Sequence, residues 1–170
     1  MANLWLGQDA GSWHGHVDLG SYISGYVDGE GCFTVSISPR PTLLVGWEVR
    51  PSLSVSQNGD RSEVLLLMQQ YFGCGRLRPD RSDRTIKWET RSLSTIVQAV
   101  IPHFRRYPLL SGKQRDIELF AEICERMARQ EHRAIPGLRV IVALAGQMNP
   151  SGKRGYLPEI ILQSLTEMKA

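Results

Sequence analysis

Cysteine is scarce in this chain: three residues in 170, Cys32, Cys74 and Cys124, far apart and odd in number. A disulfide framework calls for an even set and a zinc site for ligands at short spacing, so neither is expected. The pattern fits a reducing compartment and small buried or half-buried thiols. Histidine is also sparse. His14, His16, His103 and His132 show no clustering beyond His14-x-His16, and all four read as structural or exposed. No apolar run approaches the roughly 20 residues needed to span a bilayer. The start, Met1 to Asp9, has neither a basic opening nor a long apolar stretch and does not read as a signal peptide. Repeats, linkers and low-complexity tracts are missing too. Basic residues are absent from positions 1–32, which hold four acids.

What is present is an ordinary globular composition, 42% apolar and 22% charged, enough for one domain with a real core. The net charge of +3 is unevenly spread. Residues 33–115 carry thirteen bases against six acids, and residues 116–170 carry seven of each. The basic middle stretch is therefore the candidate surface for a polyanion, although many solvated faces look like this.

Patterning supplies the elements. Tyr22, Ile23, Tyr26 and Val27 suit a short helix over Asp18 to Asp28, broken by Gly29 and Gly31. Strict alternation then predicts a strand with Phe33, Val35 and Ile37 inward. In a second strand Trp47, Val49, Leu53 and Val55 face in, with Pro51 suggesting an irregular edge or bulge. Asp60 and Glu63 have capping-box spacing ahead of a helix that Gly73 stops. Two more strands, about 75–80 and 85–91, flank a polar turn at Asp80–Asp83. A helix at about 92–101 is expected to halt at Pro102, followed by helices at about 112–130, 137–148 and 157–169. The order helix, two strands, helix, two strands, helix predicts an α+β fold: one antiparallel sheet with helices on a single face. We read residues 1–170 as one domain, a core over about 18–130 with a C-terminal helical extension over about 131–170.

The outward positions of that sheet are Thr34, Ser36, Ser38, Arg40, Glu48, Arg50, Ser52, Ser54, Ser56, Arg76, Arg78, Lys87, Glu89 and Arg91. An ordinary solvent face would look similar. Yet hydroxyls and guanidiniums on adjacent strands can read base edges, and a two-stranded ribbon fits the major groove.

The segment Ile23-Ser24-Gly25-Tyr26-Val27-Asp28-Gly29-Glu30-Gly31 carries the chemistry. Ser21, Gly25 and Gly29 lie four residues apart on one helical face, where small side chains let two helices approach closely. The helix ends in two acids, Asp28 and Glu30. A pair of such helices crossing at a two-fold axis brings acids from both chains together, and carboxylate and carbonyl oxygens are what Mg²⁺ prefers.

This segment resembles the signature of the LAGLIDADG endonucleases. Gln57 and Arg61 are similar to a glutamine that ends the second strand of single-motif members and an arginine four residues on. A base at a helix N-terminus opposes the dipole, so Arg61 needs another reason to be there. Phe72-Gly73-Cys74-Gly75 resembles the family's turn before the third strand. Tyr107 to Gln114 resembles the segment delivering an active-site lysine, here Lys113. Gln147 to Arg154 looks like a basic segment of bacterial relatives. Leu144-Ala145-Gly146 resembles the start of a second motif, but no acids follow it.

The resemblance implies a metal-dependent DNA endonuclease with Mg²⁺ or Mn²⁺ as cofactor, acting as a homodimer on a long, nearly palindromic duplex. It implies that Glu30, aided by the Gly29 carbonyl, ligates the metal. Glu30 stands where the family commonly has Asp and adds one methylene of reach. Gln57, Arg61 and Lys113 would order water and offset developing negative charge. The outward sheet residues would bind DNA, and Ser21, Gly25 and Gly29 would form the dimer interface. It implies residence with the host genome, in a bacterial cytoplasm or an organelle. Two other roles stay open: a maturase binding its own intron RNA, and a cleavage-inactive DNA-binding regulator of the same fold.

Overall fold

The computed structural model describes residues 18–80, 84–149, 152 and 155–167. His14-x-His16, residues 81–83 of the polar turn and the pair Lys153–Arg154 lie outside the described residues. Asp18 caps the first helix, α1 (Leu19–Glu30), accepting from the Gly20 N–H at 3.2 Å and the Ser21 hydroxyl at 2.6 Å. Ile23, Ser24 and Val27 turn inward, while Ser21, Tyr22, Gly25, Gly29 and Glu30 stay exposed.

The break expected at Gly29 does not occur. The helix runs through Gly29 to Glu30 and passes directly into a strand at Gly31. Gly29 weakens a helix without forbidding it. The true stop is Gly31, whose N–H reaches the Val27 carbonyl and where a Cβ would stand 2.7 Å from that oxygen.

Four strands, β1 (Gly31–Pro39), β2 (Trp47–Asn58), β3 (Arg76–Pro79) and β4 (Thr85–Thr90), pair antiparallel in the order β1-β2-β4-β3. Pro51 makes no bulge: the register runs unbroken through its pairing with Val35. β4 joins β2 only from Leu53 onward, so Pro51 sits where β2 has one neighbour and a missing N–H costs the sheet little.

The capping box expected at Asp60 and Glu63 is also absent. Gly59–Arg61 forms a 3₁₀ turn, Ser62 stands at the N-cap of α2 (Glu63–Phe72), and its hydroxyl bonds back to the Gly59 carbonyl. Gly73 ends α2 in the left-handed region (φ 62°), as its position predicts.

The third helix, α3, spans residues 93–106 and does not halt at Pro102. A π-helical stretch over Ile96–Val100 precedes the proline, and the helix continues to Arg106. The missing proline N–H removes one helical bond, and a wider turn just before it accommodates the ring. The helices α4 (Lys113–Ala128), α5 (Ile135–Gln147) and α6 (Pro158–Glu167) follow.

One apolar core runs from Ile23 to Leu165, with the helices against one face of the sheet. Phe33 packs against Phe104 and Phe120, each at 5.4 Å, and Trp88 stacks on Phe72 at 5.6 Å. Behind α1, buried His103 meets the Ser24 hydroxyl at 3.1 Å and the Tyr71 hydroxyl at 3.0 Å. Burial lowers its pKa to about 4, so it is a neutral structural histidine near pH 7.

The open edge of β1 is covered from the C-terminal side. The Asn149 amide donates to the Phe33 carbonyl at 2.7 Å, and its backbone N–H donates to the Asp116 carboxylate at 3.0 Å. Further along, Tyr156 meets Trp47 edge-on at 5.4 Å, and the Trp47 indole donates to the Ser164 hydroxyl. The C-terminal segment thus blunts an edge that would otherwise template pairing with another chain. Among the described residues no helix is long and apolar enough to cross a membrane.

Candidate active site and nucleic-acid interface

The register turns the outward residues into rows. One row crosses all four strands: Cys32 opposite Ser54, Ser54 opposite Glu89, Glu89 opposite Arg76. The next joins Ser56, Lys87 and Arg78. Toward the β1–β2 hairpin, Thr34 faces Ser52, Ser36 faces Arg50 and Ser38 faces Glu48, with Arg40 just beyond. Every outward position singled out from the alternation lies on this face, exposed or half-buried. Cys32 belongs to it too. Its scarcity as a thiol says nothing of this; its parity with Thr34 is the sequence signal that puts it there.

The cations on this face fall into two groups. Arg40 and Arg50 both donate to Glu48, at 3.0 and 2.7 Å, and Arg91 grips Glu89 with two nitrogens at 3.0 Å. Burial alone would raise the Glu48 pKa, but the two guanidiniums outweigh it and hold the carboxylate below its usual range. Arg76, Arg78 and Lys87 are exposed and make no ion pair with another described residue.

The end of α1 gathers most of the remaining candidates. Asp28 faces the loop before α4. Its carboxylate accepts from the Leu110 and Ser111 N–H groups, each at 3.0 Å, and from the Ser111 hydroxyl. Burial would push its pKa up, yet these bonds and nearby Lys113 hold it below the ordinary carboxylate value. Lys113 lies half-buried, its Nζ donating to the Val27 carbonyl at 3.0 Å and the Asp28 carbonyl at 2.7 Å. A cation here complements the negative end of the helix.

Gln57, at the end of β2, donates to the Tyr26 hydroxyl one turn earlier on α1, and its own oxygen takes the Asn58 N–H. Sequence reading missed Tyr26 as its partner, since nothing local links positions 26 and 57. Arg61 is exposed in the groove that Gln57 shares with Tyr22, Tyr26 and α2, and no hydrogen bond from a described residue holds it. Glu30, the last residue of α1, is exposed, and its carboxylate has no hydrogen bond or ion pair with another described residue. The structure thus brings Lys113 and Gln57 to the last two turns of α1, the helix that Glu30 ends, and puts Arg61 in the groove that Gln57 and Tyr26 line.

The donor set at Glu30 suits a hard cation: one free carboxylate beside backbone carbonyls at a helix end. Among the described residues no group of three or more His, Cys, Asp or Glu side chains converges within one chain. The exposed face of α1 bears on this. A Cβ on Gly20 would strike the Tyr107 ring at 2.3 Å, so that glycine has a reason inside the chain. A Cβ on Gly25 or Gly29 would meet nothing within 4 Å. Each costs the helix roughly 1 kcal/mol relative to alanine with no contact inside the chain to account for it. Tyr22, Leu66 and Leu110 are exposed nearby, Leu110 at 96%.

The comparisons with known proteins agree with this geometry. Residues 23–124 match the family model described as LAGLIDADG endonuclease. A homing endonuclease of Aeropyrum pernix, I-ApeII, is 32% identical over 118 residues, covering 69% of each chain. A solved structure, the archaeal intron-encoded homing endonuclease I-Vdi141I complexed with DNA, superposes with a TM-score of 0.81 at 26% identity, over 88% of this chain and 96% of that one. The chain also matches a probable intron-encoded endonuclease of Neurospora crassa, 29% identical over 76% of this chain, but spans only 29% of that protein's length. With the matched region, the four-stranded antiparallel sheet and the motif helix all in place, the chain belongs to the LAGLIDADG endonuclease family.

Proposed function

We propose that this chain is a site-specific homing endonuclease that binds double-stranded DNA along the outer face of its sheet and, as a homodimer, cuts both strands. The observation that carries the proposal is Glu30: an exposed carboxylate, unpaired among the described residues, ending a helix whose outward face is glycine. Two copies of α1 crossing at Gly25 and Gly29 would bring two such carboxylates together. The groove between α1 and α2 and the exposed Tyr22 and Leu66 supply apolar area for the same contact. Ser21 shares this face, although its hydroxyl is already engaged with Asp18.

Glu30 and the Gly29 carbonyl would hold a divalent cation, Mg²⁺ or Mn²⁺, which when bound offers Lewis acidity and a more acidic water. The chain's own groups do the rest. Lys113, fixed by two carbonyls, would place positive charge beside the scissile phosphate. Gln57, steered by Tyr26, would orient a water. Arg61, untethered in the free chain, would reach toward phosphate once DNA arrives. The serines and threonine of the outer face would face the major groove, and its cations would meet base edges and phosphates. No comparison favours the maturase reading, and the intact Glu30, Gln57, Arg61 and Lys113 set favours a nuclease over an inactive regulator.

The test is incubation of the full chain with Mg²⁺ and the uninterrupted form of the DNA that flanks its own reading frame. A staggered double-strand break at one site is expected. Intact DNA bound tightly would indicate the inactive regulator, and preferential binding to the intron transcript would indicate the maturase.

A further inference from the structure

Acids on a face that meets DNA need a reason, because each repels the phosphate backbone. The sheet carries two outward acids, Glu48 and Glu89, and both could in principle accept a hydrogen bond from a cytosine amino group. Their surroundings argue otherwise. Glu48 stands between Arg40 and Arg50 and takes bonds from both. Glu89 has both oxygens engaged by Arg91. Meanwhile Arg76, Arg78 and Lys87, on the same face, make no ion pair with any described residue, although Arg76 stands directly opposite Glu89.

Resting on the DNA-recognition reading above, we infer that Glu48 and Glu89 are positioning residues that orient Arg50 (with Arg40) and Arg91 to read guanines, while Arg76, Arg78 and Lys87 meet mainly phosphate. An exposed ion pair contributes little to stability, so stability does not explain these clamps. What a carboxylate can do is fix the plane of a guanidinium. Arg50 gives one edge to Glu48 and keeps further donors in a set plane, which suits two-pronged contact with guanine O6 and N7. An untethered arginine or lysine adapts to phosphate as a mobile charge. Glu48 lies six residues from Ser54, the partner of Glu89. At about 3.4 Å per residue the two clamps stand roughly 20 Å apart along β2, so they address different base pairs.

Selection of bound duplexes from a randomised double-stranded DNA library, with Ca²⁺ replacing Mg²⁺, tests this. Arg50→Ala is expected to flatten a guanine preference at one position of each half-site. Glu48→Gln and Glu48→Ala should flatten that same position by about tenfold. Affinity for random DNA should hold or rise, because a negative charge has gone. Glu89→Ala should act at a separate position, and Arg78→Ala should weaken all sequences evenly. The inference is overturned if the Glu48 variants keep the wild-type profile, or if they lose a cytosine preference that Arg50→Ala retains. Flattening at every position, including those that Glu89→Ala affects, would mean a distorted sheet and would overturn it too. A wild-type chain that selects no sequence overturns the DNA-recognition reading itself, whereas a selected site with unchanged Glu48 variants overturns this inference alone.

Discussion

The two acids of the motif, Asp28 and Glu30, should separate cleanly under mutation. Asp28 accepts three hydrogen bonds from the 110–111 loop, whereas Glu30 accepts none from the described residues. Bonds to a charged acceptor are worth about 1.5–3 kcal/mol each against about 0.5–1.5 for neutral ones. Asn at position 28 can still accept from both amides with its oxygen and donate to Ser111, so Asp28→Asn loses mainly the charge. A loss of about 2 kcal/mol is expected, with Asp28→Ala losing more. For a chain of this size that lowers Tm by roughly 4–8 °C. The pH dependence has a definite sign. The folded pKa lies below 3.8, so the Asp28 contribution is complete above that value and fades as pH falls through the folded pKa. Asp28→Asn should remove this acid-side component.

Glu30→Gln should leave Tm within about 1 °C, because the side chain is exposed and bonds to no other described residue. DNA binding should survive or tighten, since affinity comes mainly from cation–phosphate contacts. Cleavage with Mg²⁺ should fall by several orders of magnitude. Thermal unfolding between pH 7 and 3, with binding and nicking on one duplex in Mg²⁺ and in Ca²⁺, measures all of this. Wild-type cleavage by Glu30→Gln, or a stable Asp28→Asn that has lost all cleavage, would refute the division of labour.

Four further outcomes are expected. Gly25→Leu should leave the monomer fold intact, since a side chain there meets open space, but separate the copies. Sedimentation at micromolar concentration should show a monomer, and unchanged cleavage would reject the interface. Lys87→Ala should weaken every duplex evenly and reduce the salt slope by about one, whereas loss of preference at a single base would show direct reading. Asn149→Ala removes the bond that ties the C-terminal segment to Phe33 and should cost about 1 kcal/mol, read as a Tm drop of roughly 2–4 °C. His103 titrates near 4 when folded against 6.5 when free, so it contributes fully above 6.5 and loses up to about 3 kcal/mol as pH falls toward 4. His103→Phe should flatten the stability curve across that window, and an unchanged slope would count against a neutral buried ring.

Along the chain, local periodicity carried a good deal. Alternation in 33–38 and 47–56 assigned every outward side chain correctly, because a strand's facing depends only on parity along the chain. The motif helix, the turn at Gly73 and the order of elements were legible for similar reasons. Misreadings arose where distant contacts override local preference. Pro102 does not end its helix, because a π turn before it absorbs the ring and the core holds both halves. Gly29 does not break α1, because the next strand pulls the chain on to Gly31. Pro51 needs no bulge, because β4 stops short of it.

The site divides along the same line. Residue types and their spacing were enough to nominate Glu30, Gln57, Arg61 and Lys113 and to suggest the family. They could not say that Lys113 grips the carbonyls of α1 from 85 residues away, that Asp28 pins a loop, or that Gln57 is steered by Tyr26. Nor could they tell the clamped arginines from the free ones: Glu48 meets Arg40 only across the β1–β2 hairpin, and Glu89 holds Arg91, two residues away, while making no ion pair with Arg76 directly opposite. Such contacts join residues whose separation in sequence is arbitrary, so only the folded chain, which spends its core energy on bringing them together, decides them.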